Sequence, residues 1–137
     1  MTEEKATETE AKNGKVKLNV LAISSPQQPL KLALDKLYTE SFGVQANKVI
    51  YKLQKELQPH ANEYMHLRRK LEQEPGNVEG KKLSKKGLEE LIKLNEEVAK
   101  NEIEVETLLP IKLKLLDCFS SNDRIMLEET GIAEFEE

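Results

Sequence analysis

VQANKVIYKLQKELQPHANEYMHLRRKLEQE, residues 44–74, places Ile50, Leu53, Leu57, His60, Tyr64, Leu67 and Leu71 at alternating spacings of three and four, and Ala46 extends the series backward. Side chains at those spacings share one face of an α-helix, so the stretch reads as one long helix with an apolar seam sustained for about three heptads. Pro59 lies inside it. A proline removes one helical hydrogen bond and crowds the preceding turn. Because the seam keeps its phase across Pro59, the reading is a kink near residues 55–59 in a continuing helix, with a genuine break as the alternative.

The sequence that follows supplies a partner for the seam. Glu74-Pro75-Gly76-Asn77 is a turn, and the loop continues to about Lys82. Ser84 is a good N-cap, with Leu83 before it and Leu88 four residues in, the positions of a hydrophobic staple. Leu88, Leu91, Ile92, Val98 and Ala99 then form the inner face of a helix at about 84–102. Two such helices joined by a short loop make an antiparallel αα-hairpin, with Leu53, Leu57, Leu67 and Leu71 expected in its interior. The same strict stripe also suits a homo-oligomer.

Outside the hairpin the periodicity changes. Val16, Leu18 and Val20 alternate with polar residues, a half-buried strand. Ser24 to Pro29 is a breaker cluster. Pro29 suits the first turn of a helix at about 29–40, whose stripe is Leu30, Ala33, Leu34, Leu37 and Tyr38, and Gly43 punctuates its end. Two further strand patterns occur at 103–108 and 111–115; isolated strands leave backbone groups unpaired, so Val16–Val20 is expected to pair with one of them. Ser120 and Asp123 form a capping-box-like start to a last short helix, Gly131 suits the residue just past its end, and 133–137 reads as frayed. Residues 1–14, without a large apolar side chain after Met1, read as a disordered acidic tail. The expected fold class is therefore mainly α (α+β). A single domain at 15–135 contains a long αα-hairpin, a short N-terminal helix, a small antiparallel sheet of N-terminal and late strands, and a short C-terminal helix.

Chemistry is sparse. The chain has 137 residues and a net charge of −4, which disfavours wholesale nucleic-acid binding. Cys118 is the only cysteine, so no intramolecular disulfide forms, and it reads as a small apolar side chain in a reducing compartment. Met1 to Lys12 lacks the basic and apolar regions of a signal peptide, and no apolar run approaches the roughly 20 residues of a membrane helix. His60 and His66 are six residues apart and point to different helix faces, so they share no metal. Phosphate-cradling, zinc and dithiol motifs are lacking. The glutamate pairs at 89–90, 96–97 and 128–129 read as solvated acid. No catalytic residue, cofactor or metal is expected.

The charge layout says more. Lys48, Lys52 and Lys55 stand without an acid between Val44 and Lys55, whereas seven glutamates face Lys93 and Lys100 between Gly87 and Leu109. In an antiparallel hairpin these stretches are expected side by side, helping to set its register. At the hairpin tip Arg68, Arg69, Lys70, Lys81, Lys82, Lys85 and Lys86 oppose only Glu72, Glu74 and Glu79, a local balance of +4 against −8 for the rest of the chain. These seven bases are the candidate partner-binding residues, suited to an acidic protein surface.

The order of features, with Lys15-Val16-Lys17-Leu18 opening, Ala46-Asn47-Lys48-Val49-Ile50-Tyr51-Lys52-Leu53 in the long helix, then Arg68-Arg69-Lys70-Leu71 and Leu109-Pro110-Ile111-Lys112-Leu113, resembles small helical-hairpin proteins of unknown function from tailed phages and prophages of Gram-positive bacteria. The resemblance spans about 15–135. It implies a non-enzymatic interaction protein, a virion-associated or assembly factor or a host-directed accessory protein, located in the host cytoplasm or the virion. It carries no catalytic residues. A nucleic-acid-binding module using the basic tip is the alternative.

Overall fold

The structure, a computed structural model, describes residues 16–136; the expected acidic tail at 1–14 lies outside them. The chain opens with β1 (Val16–Asn19) and passes directly into α1 (Val20–Ser24). The alternation had placed Val20 in the strand. Asn19 ends the strand instead: its Oδ1 accepts the Ala22 N–H at 3.2 Å as an N-cap, and its Nδ2 donates to the Ala99 carbonyl at 2.7 Å. Ile23 of α1 is buried in the core. α2 (Pro29–Thr39) has Pro29 in its first turn and buries Leu30, Ala33, Leu34 and Leu37, as the stripe required.

α3 (Val44–Gln73) is continuous through Pro59, so the break is excluded. Its start is fixed by Gly43, whose φ of 97° suits glycine, and by Asn47, whose Oδ1 reaches back to the Phe42 N–H at 2.9 Å. Gly43 thus begins the long helix rather than marking the end of α2. The buried line of α3 runs through Ile50, Leu53, Leu57, Ala61 and Tyr64. It steps from Leu57 to Ala61, where a strict heptad would step to His60, because a straight helix of 3.6 residues per turn drifts against a 3.5-residue repeat. His60 is left half-buried, and Leu67 is 40% exposed.

A short 3-10 turn (Pro75–Asn77) and a ribbon of β2 (Val78–Glu79) and β3 (Lys82–Leu83) lead to α4 (Lys85–Ala99). The expected loop is therefore partly ordered as paired strands. Ser84 caps α4 as expected, its Oγ accepting the Gly87 N–H at 3.0 Å. The inner face is not the expected one. Gly87 is the buried residue of α4, Leu88 and Ile92 are 51% and 56% exposed, and Leu91, Val98 and Ala99 are half-buried. Apolar side chains cover more than one face of α4, and its neighbours α1, α3 and the 3-10 turn cover only the part turned toward them. The Tyr64 hydroxyl meets Asn95 Oδ1 at 2.7 Å, which sets α4 beside the part of α3 that follows Pro59. The glutamates of α4 accordingly do not run along Lys48–Lys55.

Among the described residues the strands form three two-stranded sheets. β1 pairs antiparallel with β4 (Glu102–Val105), Val16 opposite Val105 and Leu18 opposite Ile103, as the sequence required. β5 (Ile111–Lys114) pairs in parallel with β6 (Ala133–Glu136), across a crossover containing α5 (Ser121–Glu129). Of residues 133–137, read as a frayed end, Ala133–Glu136 are thus a strand, with Ala133 and Phe135 buried, and 137 lies outside the described residues. Burial on one face of Ala133-Glu134-Phe135-Glu136, together with a neighbour to pair with, outweighs its acidic composition. α5 begins with the full capping box of Ser120 and Asp123, and Gly131 follows it with a φ of 82°. The core gathers Leu18, Ile23, Leu34, Leu37, Leu53, Leu57, Val105, Leu113 and Leu127. Phe119 lies between Phe42 and Phe135, with ring centroids 6.0 and 5.4 Å away.

Candidate interaction surface

The tip is built by a set of short polar contacts. Asn77 is buried; its Nδ2 donates to the Leu71 carbonyl at 2.9 Å, closing the end of α3, and its own carbonyl accepts the Ser84 N–H at 2.8 Å. The Ser84 hydroxyl donates to the Gly76 carbonyl at 2.7 Å. Gly80 turns the ribbon with a φ of 64°. The tip bases therefore stand on an ordered platform rather than on an irregular loop.

Six of the seven tip bases, Arg69, Lys70, Lys81, Lys82, Lys85 and Lys86, are exposed. Arg68 departs from the set: its side chain is only 17% exposed and its Nε pairs with Glu72 at 3.3 Å, one turn along the same helix. Glu79 lies opposite Lys82 across the ribbon. The tip thus has Lys81 and Lys82 on the ribbon, Lys85 and Lys86 on the first turn of α4, and Arg69 and Lys70 near the end of α3. Tyr64 is buried, so no aromatic ring from this part of α3 is offered for base stacking.

Clefts lie elsewhere on the described residues, among them two with apolar linings. One, of about 580 Å³, runs between the start of α3 and the start of β5 and is lined by Phe42, Val44, Ala46, Val49, Leu108 and Pro110. Another, of about 260 Å³, lies between α3 and α4 and holds His60, Glu63, Tyr64, Leu67, Leu94 and Val98. His66 is exposed, and the two histidines do not meet in a site. Cys118, read from sequence as an apolar filler, is exposed in the connection from β5 to α5. Among the described residues no group of three His, Cys, Asp or Glu side chains is placed to hold a metal ion, and no helix is long and apolar enough to cross a membrane.

Comparison of the chain with protein-family models, with curated proteins and with solved structures finds no match.

Sequence reasoning named the tip bases but missed Asn77, Ser84 and Gly87 as the residues that hold them in place. Only Ser84 left a signal, as an N-cap. The roles of Asn77 and Gly87 depend on contacts between chain segments that composition does not record.

Proposed function

We propose that this chain is a non-enzymatic interaction protein that presents the hairpin tip to an acidic protein surface. The observation that supports the reading is the exposure of Arg69, Lys70, Lys81, Lys82, Lys85 and Lys86 together on an ordered tip, in a chain that is otherwise acidic. A positive lobe on a negative body orients approach to an acidic surface and raises the association rate more than the final affinity. The resemblance to phage and prophage hairpin proteins gives such a protein a setting, as a virion-associated, assembly or host-directed factor. Nucleic acid is the less favoured ligand, because the tip pairs its charge with no exposed aromatic platform.

The test is a variant carrying Arg69→Glu, Lys70→Glu, Lys81→Glu and Lys82→Glu. Parent and variant are compared for capture of proteins from infected and uninfected host lysate and for retention of single-stranded oligonucleotides. The variant is expected to keep its melting temperature and lose protein capture, most strongly at low salt, because charges are screened beyond about 10 Å at 0.1 M ionic strength. Equal capture by both proteins at low ionic strength overturns the reading. Salt-dependent oligonucleotide retention lost in the variant replaces it with the nucleic-acid alternative.

A further inference from the structure

α4 carries its charges against its own dipole. Lys85 and Lys86 occupy its first turn and Glu96 and Glu97 its last, with no acid in the first turn and no base in the last. Aligned peptide units place partial positive charge at the start of a helix and partial negative charge at its end, so both ends add like charge to like. Lys100, at the C-cap, pairs with Glu97 at 3.3 Å and relieves part of this at one end.

The same helix keeps an apolar ridge uncovered. Leu88 and Ile92, one turn apart, are each about half exposed; Asn95, next on their line, is half-buried with its Oδ1 accepting from the Tyr64 hydroxyl, so the ridge consists of these two residues. Leu91, Leu94 and Val98 are half-buried on the adjoining face.

We propose that the ridge is covered by α4 of a second copy, running antiparallel, in a two-fold symmetric dimer. Antiparallel packing with Leu88 against Ile92 of the second copy brings Lys85, which flanks the ridge, within a turn of the second copy's Glu96 on the same flank; Lys86 and Glu97 lie on the far face of the helix. It also sets the positive end of each helix dipole beside the negative end of the other. Both features that are unfavourable in the single chain become attractive in this pairing, whereas a parallel pair would place lysine beside lysine and glutamate beside glutamate. The two-fold repeats every contact, as an interface between identical copies requires. α4 is about 22 Å long at 1.5 Å per residue, so the contact is a single helix pair, weak and sensitive to salt. The inference touches the tip reading only through Lys85, which belongs to both surfaces; the apolar ridge is independent of it.

Sedimentation equilibrium of the full chain over a wide concentration range, at low and high salt, tests it. The expected result is a reversible monomer–dimer equilibrium that tightens as salt falls. Leu88→Glu with Ile92→Glu, both at exposed positions, is expected to keep the melting temperature and weaken the dimer by about tenfold or more. Lys85→Glu, and separately Glu96→Lys, should each weaken self-association, while an equimolar mixture of the two proteins restores it as a heterodimer. The inference is overturned by a parent that stays monomeric throughout, by a dimer indifferent to the ridge substitutions, or by a mixture that associates no better than its components. A monomeric parent whose protein capture still depends on Arg69, Lys70, Lys81 and Lys82 overturns the dimer and leaves the tip reading standing. A salt-dependent dimer in a protein whose capture ignores those four residues does the reverse.

Discussion

Gly87, in the first turn of α4, packs directly against the backbone of Asn77: a Cβ on Gly87 would lie 2.1 Å from the Asn77 carbonyl oxygen and 3.0 Å from its carbonyl carbon. That carbonyl also accepts the Ser84 N–H, so it cannot move without opening the tip. In an unobstructed helix interior, glycine to alanine gains roughly 1 kcal/mol from propensity alone. Here the sign is expected to reverse. Gly87→Ala should destabilise the protein by about 1–3 kcal/mol, the usual cost of forcing an atom into a filled space, measured by urea unfolding. Hydrogen exchange should accelerate first at Ser84 and Gly87. An unchanged or raised stability would mean that the tip adapts to the methyl group.

The drift of the buried line along α3 makes a paired prediction. Leu57 is 2% exposed and Leu67 is 40% exposed, although a strict heptad treats them alike. Leu57→Ala should cost about 2–5 kcal/mol, and Leu67→Ala clearly less, because a partly solvated site loses less transfer free energy and leaves no closed cavity. Thermal melts of the two variants check this, and equal losses would place the seam where the heptad put it.

The elements that were legible in the sequence are those whose cause is local. The length of α3 follows from its own periodicity, the start of α4 from Ser84, and the start of α5 from Ser120 and Asp123 acting on backbone groups within three residues. The pairing of β1 with β4 was legible because β1 required a partner and few candidates existed. What was not legible depends on distant atoms. Val20 leaves the strand because Asn19 is held by the Ala99 carbonyl, 80 residues away. β6 is a strand because β5 lies ready to pair with it beyond a crossover. The covered face of α4 is chosen by its neighbours, and α4 alone offers several apolar lines. The candidate surface divides in the same way: its charge is composition and can be read directly, but the pairing of Arg68 with Glu72 and the platform of Asn77, Ser84 and Gly87 are geometry.

Glu56 joins α3 to the segment after β4. One of its carboxylate oxygens accepts the Glu106 N–H at 2.6 Å, and the other accepts the Thr107 N–H at 2.8 Å and the Thr107 hydroxyl. Hydrogen bonds to a charged group contribute about 1.5–3 kcal/mol, and a buried donor left without a partner costs about as much. Glu56→Ala should therefore destabilise the protein by about 1–3 kcal/mol. Glu56→Gln should cost less, because the amide keeps an acceptor for one of the two N–H groups. Exchange at the 106 and 107 amides should quicken in the alanine variant. A stability equal to the parent's would show that water replaces the carboxylate without loss.

Asp123 couples the last helix to α2 and makes that coupling dependent on pH. Its Oδ2 receives the Lys36 ammonium at 2.5 Å and the Ser120 N–H at 2.9 Å, while its backbone N–H donates to the Ser120 hydroxyl. Burial pushes the carboxyl up, but Lys36 and the hydrogen bonds to the carboxylate from the Ser120 N–H and hydroxyl together outweigh it and hold the group below the ordinary carboxylate range. A carboxylate whose folded pKa lies below its unfolded value contributes stability that is complete above the unfolded pKa, about 3.9 for aspartate. That contribution declines as pH falls through the window between the two values, because the unfolded chain takes up the proton first, and it is gone below the folded value. Many other carboxylates titrate in the same range, so the informative quantity is the difference between parent and Asp123→Asn. Denaturant unfolding across a pH series should show the parent more stable at neutral pH by a constant margin. That margin should begin to shrink near the unfolded pKa and keep falling below it. Lys36→Met should reduce the neutral-pH margin and move the decline to higher pH, because removing the ammonium raises the folded pKa of Asp123. A margin that stays level through the acid range would mean that the Lys36–Asp123 pair contributes nothing to folding and that the cap acts through Ser120 alone.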